Sequence, residues 1–384
     1  NYGFVASKNK KHQIFEYFGN EYIVKNLTLD GDNENNNSDY LALFACVEYI
    51  RYLGVDVKIE NAKQKYVGGL VAYGSYISDC FVQVDIQVIN GAQFVGGITG
   101  GIDGGLYMAN SFAIGSIEYT PAQTDKHLYL SGLVGEGDNS TFSNCYSAVS
   151  ITEKIASGQV SVNSILGGSG QGGYNKGGAY YDENISLCKN SGFSDDANIS
   201  FADSWLKEDG KRSNLFVGDW TYSQYNYPVQ SWVKNNKYAV ELLGYQMDSN
   251  ATNGLGTRIS PYQVNSSNIA DWNNKAEQPK NAVFMDKELD PKTEISGTEY
   301  AIVISKGCSF FNGNNVTISN GTKKHSYVLY ANDSEASPTI SGFNYNACYY
   351  GNYLDLAESL PENAYVYNVN VSVDAVRDRY YSAV

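Results

Sequence analysis

Val95-Gly96-Gly97-Ile98-Thr99 is a short apolar run broken by two glycines, and related runs flank it. Val67-Gly68-Gly69-Leu70-Val71 stands 95 − 67 = 28 residues earlier, and Leu130-Ser131-Gly132-Leu133-Val134 stands 130 − 95 = 35 residues later. Leu41-Ala42-Leu43-Phe44-Ala45 precedes the series by about one more period. After a polar loop each unit is followed by a second strip: Ile77-Ser78-Asp79-Cys80-Phe81, Met108-Ala109-Asn110-Ser111-Phe112 and Phe142-Ser143-Asn144-Cys145-Tyr146, with a weaker form at Ile50-Arg51-Tyr52-Leu53-Gly54-Val55. A repeat of roughly 20 to 50 residues marks stacked supersecondary units. Both strips alternate or run apolar between Gly, Asn, Asp and Ser, which reads as short strands.

The predicted fold is all-β, a parallel β-solenoid in which each period makes one coil. A single coil cannot bury its inward face, but coils stacked at the ~4.8 Å strand spacing share a continuous core. Glycine is expected where the path bends sharply or coils approach closely. Gly69, Leu70, Gly97, Ile98, Gly132 and Leu133 are therefore predicted coil positions, with Leu70, Ile98 and Leu133 inward and stacked in order. Cys80, Ser111 and Cys145 form a second, small inward ladder. Cys80 and Cys145 lie two coils apart, beyond the roughly 7 Å between Cα atoms that a disulfide spans, and read as buried thiols. The six cysteines contain no CxxC pair and are too scattered for a disulfide scaffold. Cys308 and Cys348, outside the ladder, are the one pair expected to bridge.

The glycine units resemble the GLUG-motif family of β-helix repeats, named for Gly-Leu-apolar-Gly and found in large bacterial surface and adhesin-like proteins. Gly132-Leu133-Val134-Gly135 matches fully, Gly97-Ile98-Thr99-Gly100 has Ile for Leu and a polar third residue, and Gly69-Leu70-Val71-Ala72 loses the last glycine. The resemblance spans about residues 13–175 and implies a β-solenoid on an extracellular or cell-surface protein. Residues 1–175 are accordingly read as the solenoid. Residues 176–253 carry Trp205, Trp220, Trp232 and Tyr227-Pro228, a texture similar to the ending of such repeats, and are expected to form an aromatic-rich cap or connector. Residues 254–384 open with Gly254-Leu255-Gly256-Thr257 and Pro261-Tyr262-Gln263-Val264, which looks like the lead-in of a second module. Phe311-Asn312-Gly313-Asn314-Asn315-Val316 echoes Phe18-Gly19-Asn20-Glu21-Tyr22-Ile23, with Gly313 lying 313 − 19 = 294 residues beyond Gly19. The expectation is a stretch of a tandem array holding one module without its beginning and one without its end.

Charge and motifs narrow the function. With 27 Lys+Arg against 41 Asp+Glu the formal charge is −14, which repels the phosphates that dominate nucleic-acid affinity. No run approaches the roughly 18 apolar residues of a membrane span, so no membrane insertion is expected within this segment. His12, His127 and His325 sit in no metal-binding or nucleophile-activating pattern. Asp30-Gly31-Asp32-Asn33-Glu34 lacks the spacing of an EF-hand and reads as a solvated turn. Gly167-Gly168-Ser169-Gly170-Gln171-Gly172-Gly173 lacks the Lys-Ser/Thr of a phosphate loop and reads as a loose loop or degenerate coil. No catalytic, cofactor-binding or metal-binding residue is assigned, and no cofactor is expected. The expected function is a non-enzymatic structural or adhesive module of a long extracellular or fibre-forming repeat protein. Its partners would be copies of itself or neighbouring modules, or a host-surface or extracellular glycan or protein. The alternative is a carbohydrate-active β-helix that binds or cleaves polysaccharide along a lateral groove, which would need two carboxylates a few ångströms apart.

Overall fold

A computed structural model describes residues 14–32, 38–120, 126–137, 139–153, 160–168, 178–193, 200–201, 216, 218–248, 250–289, 293–295, 298–319, 326–331, 338–347 and 365–373. The chain divides into two compact units, one of residues 1–201, 208–223 and 227–243, the other of residues 202–207, 224–226 and 244–384.

The first unit is a parallel β-solenoid with three faces. Its first face stacks Tyr40–Leu41, Tyr66–Gly68, Phe94–Gly96, Leu128–Ser131 and Val160–Asn163. The second stacks the front half of Phe44–Ala62 with Val71–Ser78, Thr99–Ala109, the pair Val134–Glu136 and Thr141–Ser143, and Leu166–Gly168. The third stacks the rear half of Phe44–Ala62 with Phe81–Val88, Phe112–Tyr119, Cys145–Glu153, Ala179–Asp182 and Ser200–Phe201. Ile14–Asp30 runs beneath both halves of Phe44–Ala62. Alternation decides which way each side chain points: along Phe81–Val88, Val82, Val84, Ile86 and Val88 are buried while Asp85 and Gln87 are exposed. Val67 pairs with Val95 and Val95 with Leu130, the two steps read from the glycine units. Gly167 and Gly168 belong to a regular strand of a further coil, while residues 169–173 lie outside the described residues.

Two corners explain the repeated residues. At the corner between the first and second faces, Leu70 N–H donates to the carbonyl of Ile98, Ile98 to Leu133 and Leu133 to Ile165, at 3.0, 3.0 and 3.2 Å. Leu70, Ile98, Leu133 and Ile165 are all fully buried and extend the row to one coil more than the sequence units suggested. The preceding glycines serve close approach: a Cβ on Gly69 would stand 2.6 Å from the Gly97 carbonyl, and one on Gly97 would overlap that of Gly132. None of the three has a positive φ.

At the corner between the second and third faces, Asp79, Asn110 and Asn144 adopt φ of 54°, 45° and 53°, a left-handed turn that Asx side chains tolerate. Their side chains form a ladder, Asn110 Nδ2 donating to Asp79 Oδ1 and Asn144 Nδ2 to Asn110 Oδ1, both at 3.1 Å. The next residues are Cys80, Ser111 and Cys145, all buried. Each donates to the carbonyl two residues back: Cys80 to Ser78 at 3.1 Å, Ser111 to Ala109 at 2.7 Å and Cys145 to Ser143 at 3.3 Å. The position takes a small side chain with a donor, and cysteine and serine both meet that need. Burial pushes the Cys80 and Cys145 thiols up to about 12, so both stay protonated.

Within the aromatic-rich stretch, Ala179–Asp182 is a strand of the third face, while Phe216, Trp220, Pro228 and Trp232 line the flank of that face. Trp232 packs on Phe81, Trp220 on Phe112 and Tyr146, and Phe216 on Tyr146 and Tyr180. Tyr146 Oη donates to the Pro228 carbonyl at 2.8 Å. Beyond the helix Ser231–Asn235, Asn236 Nδ2 reaches the Glu21 carbonyl at 2.6 Å, so this strap reaches the lowest described coil. The last described coil of the first and second faces is met by residues 190–191, whose carbonyls accept from Ser164, Ile165 and Leu166.

The second unit has its own core and a parallel sheet of Tyr262–Val264, Asn281–Phe284, Phe310–Ser319, Thr339–Ala347 and Tyr365–Val373, with Glu288–Leu289 also paired to Phe310–Ser319. The lead-in closes one end of that core. Trp272, on the helix Ile269–Asn273, is fully buried between Tyr262 and Phe311, and its Nε1 donates to the Val303 carbonyl at 3.0 Å. Cys308 is a buried thiol beside the Phe310 carbonyl; Cys348 lies outside the described residues.

Candidate functional site

In-register parallel stacking puts the same outward position of successive coils one strand spacing apart, so an aromatic residue repeated once per coil becomes a column of rings. The first unit builds one column on each face. On the third, Phe81, Phe112 and Tyr146 stack at 5.5 and 4.9 Å and lie fully buried under the strap. On the first, Tyr40, Tyr66, Phe94 and Tyr129 stack at 5.7, 5.4 and 5.4 Å. This column is half-buried: Tyr73 packs edge-on to Tyr66, Lys65 lies over it, and the His127 ring caps Tyr129. Burial, followed by the Glu136 carboxylate, raises the Tyr66 phenol and keeps it a neutral donor.

The second face carries the exposed column. Tyr49, Tyr76 and Tyr107 pair in register, with ring centroids 5.4 and 4.9 Å apart, and Phe15 extends the column below Tyr49 at 5.5 Å. Phe15 is 65% exposed, Tyr49 37% and Tyr107 39%. Because Tyr76 and Tyr107 lie nearly parallel, at 17°, their shared faces are occupied and the column offers ring edges and phenol oxygens to the outside. Such a surface combines apolar area with a row of hydrogen-bonding tips. The sequence carried a signal for it, since the tyrosines recur at 76 − 49 = 27 and 107 − 76 = 31 residues, close to the glycine-unit steps.

A polar corner lies on the same coils. Asp79 is half-buried; burial raises its carboxyl and the nearby Asp219 adds to that, while hydrogen bonds from Ser78 and Asn110 oppose it. Asp79 in turn raises the Tyr52 phenol. Arg51 bonds Glu16 at 2.9 Å and stacks on Phe18 at 4.2 Å. A second perturbed carboxyl, Asp182, is fully buried and N-caps the short helix Glu183–Ser186, accepting from Asn184 N, Ile185 N and Tyr227 Oη. Burial outweighs those bonds and pushes it up to about 7.

The sequence-assigned positions Gly69, Leu70, Gly97, Ile98, Gly132, Leu133, Cys80, Ser111 and Cys145 all lie in the two corners and contribute to the core, not to these outer surfaces. Asp30 and Asp32 are engaged by the next coil: Asn61 donates to Asp30 at 3.1 Å and Lys63 pairs with Asp32. His127 is exposed and bonds Ser161 Oγ at 2.9 Å, whereas His12 and His325 lie outside the described residues. Among the described residues, no cluster of three or more His, Cys, Asp or Glu side chains is placed to hold a metal ion. No helix among them is long and apolar enough to cross a membrane. Neither a protein family, nor a curated protein, nor a solved structure matches the chain.

Proposed function

We propose that this chain is a non-enzymatic structural or adhesive module of a long extracellular, surface-displayed repeat protein, in keeping with the resemblance of its glycine units to GLUG repeats. The observation that carries the reading is the exposed Phe15, Tyr49, Tyr76 and Tyr107 column. A rigid parallel scaffold holds these rings at fixed spacing, so little side-chain freedom is lost when a partner covers them. Its partners are copies of itself, neighbouring modules, or an extracellular glycan or protein.

The polar corner favours a second reading, a carbohydrate-active β-helix. Asp79 is a half-buried carboxyl that burial holds toward its protonated form, the kind of group that acid catalysis uses, and the Asp219 carboxylate lies nearby. Its place in the Asx ladder supports the structural role instead, because Asn110 and Asn144 occupy the same position without a carboxylate.

One experiment separates the two. The protein and a Tyr49→Ser, Tyr76→Ser, Tyr107→Ser variant are assayed for retention on glycan and protein-coated surfaces, alongside product release from acidic and neutral glycans. Retention lost in the triple variant, with no turnover, is the expected result. Steady product release abolished by Asp79→Asn would overturn it.

A further inference from the structure

Ile14–Asp30 pairs along one edge with Phe44–Ala62, and among the described residues no strand pairs with its other edge. The second unit shows what such an edge accepts. In the first unit the register passes from Phe18 opposite Arg51 to Tyr22 opposite Leu53, so Gly19, Asn20 and Glu21 stand against the single residue Tyr52. In the second it passes from Asn312 opposite Ser341 to Val316 opposite Phe343, so Gly313, Asn314 and Asn315 stand against the single residue Gly342. Asn20 and Glu21 have φ of 48° and 61°, and Asn314 and Asn315 have 54° and 58°. A Cβ on either glycine would collide with the carbonyl of the residue opposite, Tyr52 or Gly342. The two corners are the same device, and position 16 corresponds to 310, 17 to 311, 22 to 316 and 24 to 318.

The corresponding outer edge in the second unit is occupied. Asn281, Ala282 and Val283 pair with Phe310, Phe311 and Asn312, and Glu288 and Leu289 pair with Thr317 and Ile318. Asn314 Nδ2 reaches down to the Phe284 carbonyl at 3.2 Å. Under that coil Phe311, Val316 and Ile318 are fully buried. Their counterparts Tyr17 and Val24 are only partly buried, Tyr22 is 72% exposed, and Asn20, the counterpart of Asn314, is exposed.

We propose that the outer edge of Ile14–Asp30 is a docking edge for one more parallel coil of the Asn281–Leu289 build. In it the residue equivalent to Asn281 faces Glu16, that of Ala282 faces Tyr17, that of Glu288 faces Ile23 and that of Leu289 faces Val24. The occupant is a lead-in and first coil carried on the same polypeptide. A folded second copy cannot supply it, because its own Asn281–Phe284 strand lies between Tyr262–Val264 and Phe310–Ser319 with both edges taken. The open N–H and C=O groups of the edge supply the ladder, and the partly buried Tyr17 and Val24 with the exposed Tyr22 supply the apolar contact.

The inference deepens the array part of the proposed function but does not depend on what the tyrosine column binds, and its test leaves adhesion and turnover unmeasured. A copy of residues 244–294 is joined ahead of the full chain, which keeps the spacing of the second unit because position 1 corresponds to 295, and hydrogen exchange is followed over residues 14–30 and over the added copy. A second version carries Ala282→Pro and Glu288→Pro in the added copy only, since proline cannot continue the ladder. The expected result is exchange across residues 14–30 slowed by at least about tenfold with the intact copy and unchanged with the proline copy. A protected copy beside an unprotected 14–30 overturns the proposal. So does an unprotected copy, because the edge then fails to order the coil it is said to accept.

Discussion

Leu133 illustrates how a single side chain reports the register of the whole stack. It is fully buried in the row with Leu70, Ile98 and Ile165, and its backbone bonds the coils on both sides. Leu133→Ala removes buried apolar volume from a site whose backbone cannot collapse, and should cost about 2–5 kcal/mol in denaturant unfolding. A cost within about 0.5 kcal/mol would place the side chain at the surface and reject the register. Asp182 gives a prediction with a sign. Its carboxyl titrates near 7 in the fold, against about 3.9 in an unfolded chain. Between those values the native state binds the extra proton, so the contribution to stability is full below about pH 4 and is lost as pH rises through about 7. Asp182→Asn should flatten that loss, which has a limiting slope of about 1.4 kcal/mol per pH unit. A wild type whose midpoint rises from pH 4 to 7 relative to the variant would contradict the buried, protonated carboxyl.

At the scale of the element, the strap and the third face depend on each other. The column of Phe81, Phe112 and Tyr146 would be a large apolar surface if bare, and the strap from Phe216 through Trp232 covers it. One hydrogen bond, Tyr146 Oη to the Pro228 carbonyl, ties the column to the strap inside that apolar contact. Tyr146→Phe keeps the stacked ring and removes the donor, leaving a buried carbonyl with one partner fewer. It should destabilise by about 1–3 kcal/mol and speed proteolysis within residues 216–243 ahead of the coils. Unchanged cleavage there would mean that this hydrogen bond does not hold the strap, leaving its rings and the bonds from Tyr227 to Asp182 and from Asn236 to Glu21. The strip Ile77 to Phe81 and its repeats was legible as an element, because Ile77, Met108 and Phe142 stack in register as their spacing required. Its function as a corner was not legible: strand alternation says nothing of the left-handed turn at Asp79, Asn110 and Asn144 that the middle of each strip adopts.

For the whole molecule, net charge and the exposed column act against each other. Copies carrying −14 repel, while the Tyr49, Tyr76 and Tyr107 column offers an apolar contact between them. Sedimentation should therefore show self-association that grows with protein concentration and with salt, as screening weakens the repulsion. A strict monomer across both series would remove self-assembly from the proposed partners. The amino-acid sequence by itself determined the coil period, the inward row and the close-approach glycines. Parallel in-register stacking sets each residue on its counterpart one coil away, so a one-dimensional repeat carries the three-dimensional neighbour list. It also carried the echo between the segments at Gly19 and Gly313, which the structure shows to be matching corners. Only the tertiary structure decided which of the three ring columns stays open, because the cover over Phe81 comes from Trp232, 232 − 81 = 151 residues away and outside the repeat. The same holds for Asp182, an unremarked acid in the sequence, whose raised proton affinity comes from burial at a helix cap under Tyr227. Periodicity records what coils share; burial by a non-repeating segment depends on where that segment folds back.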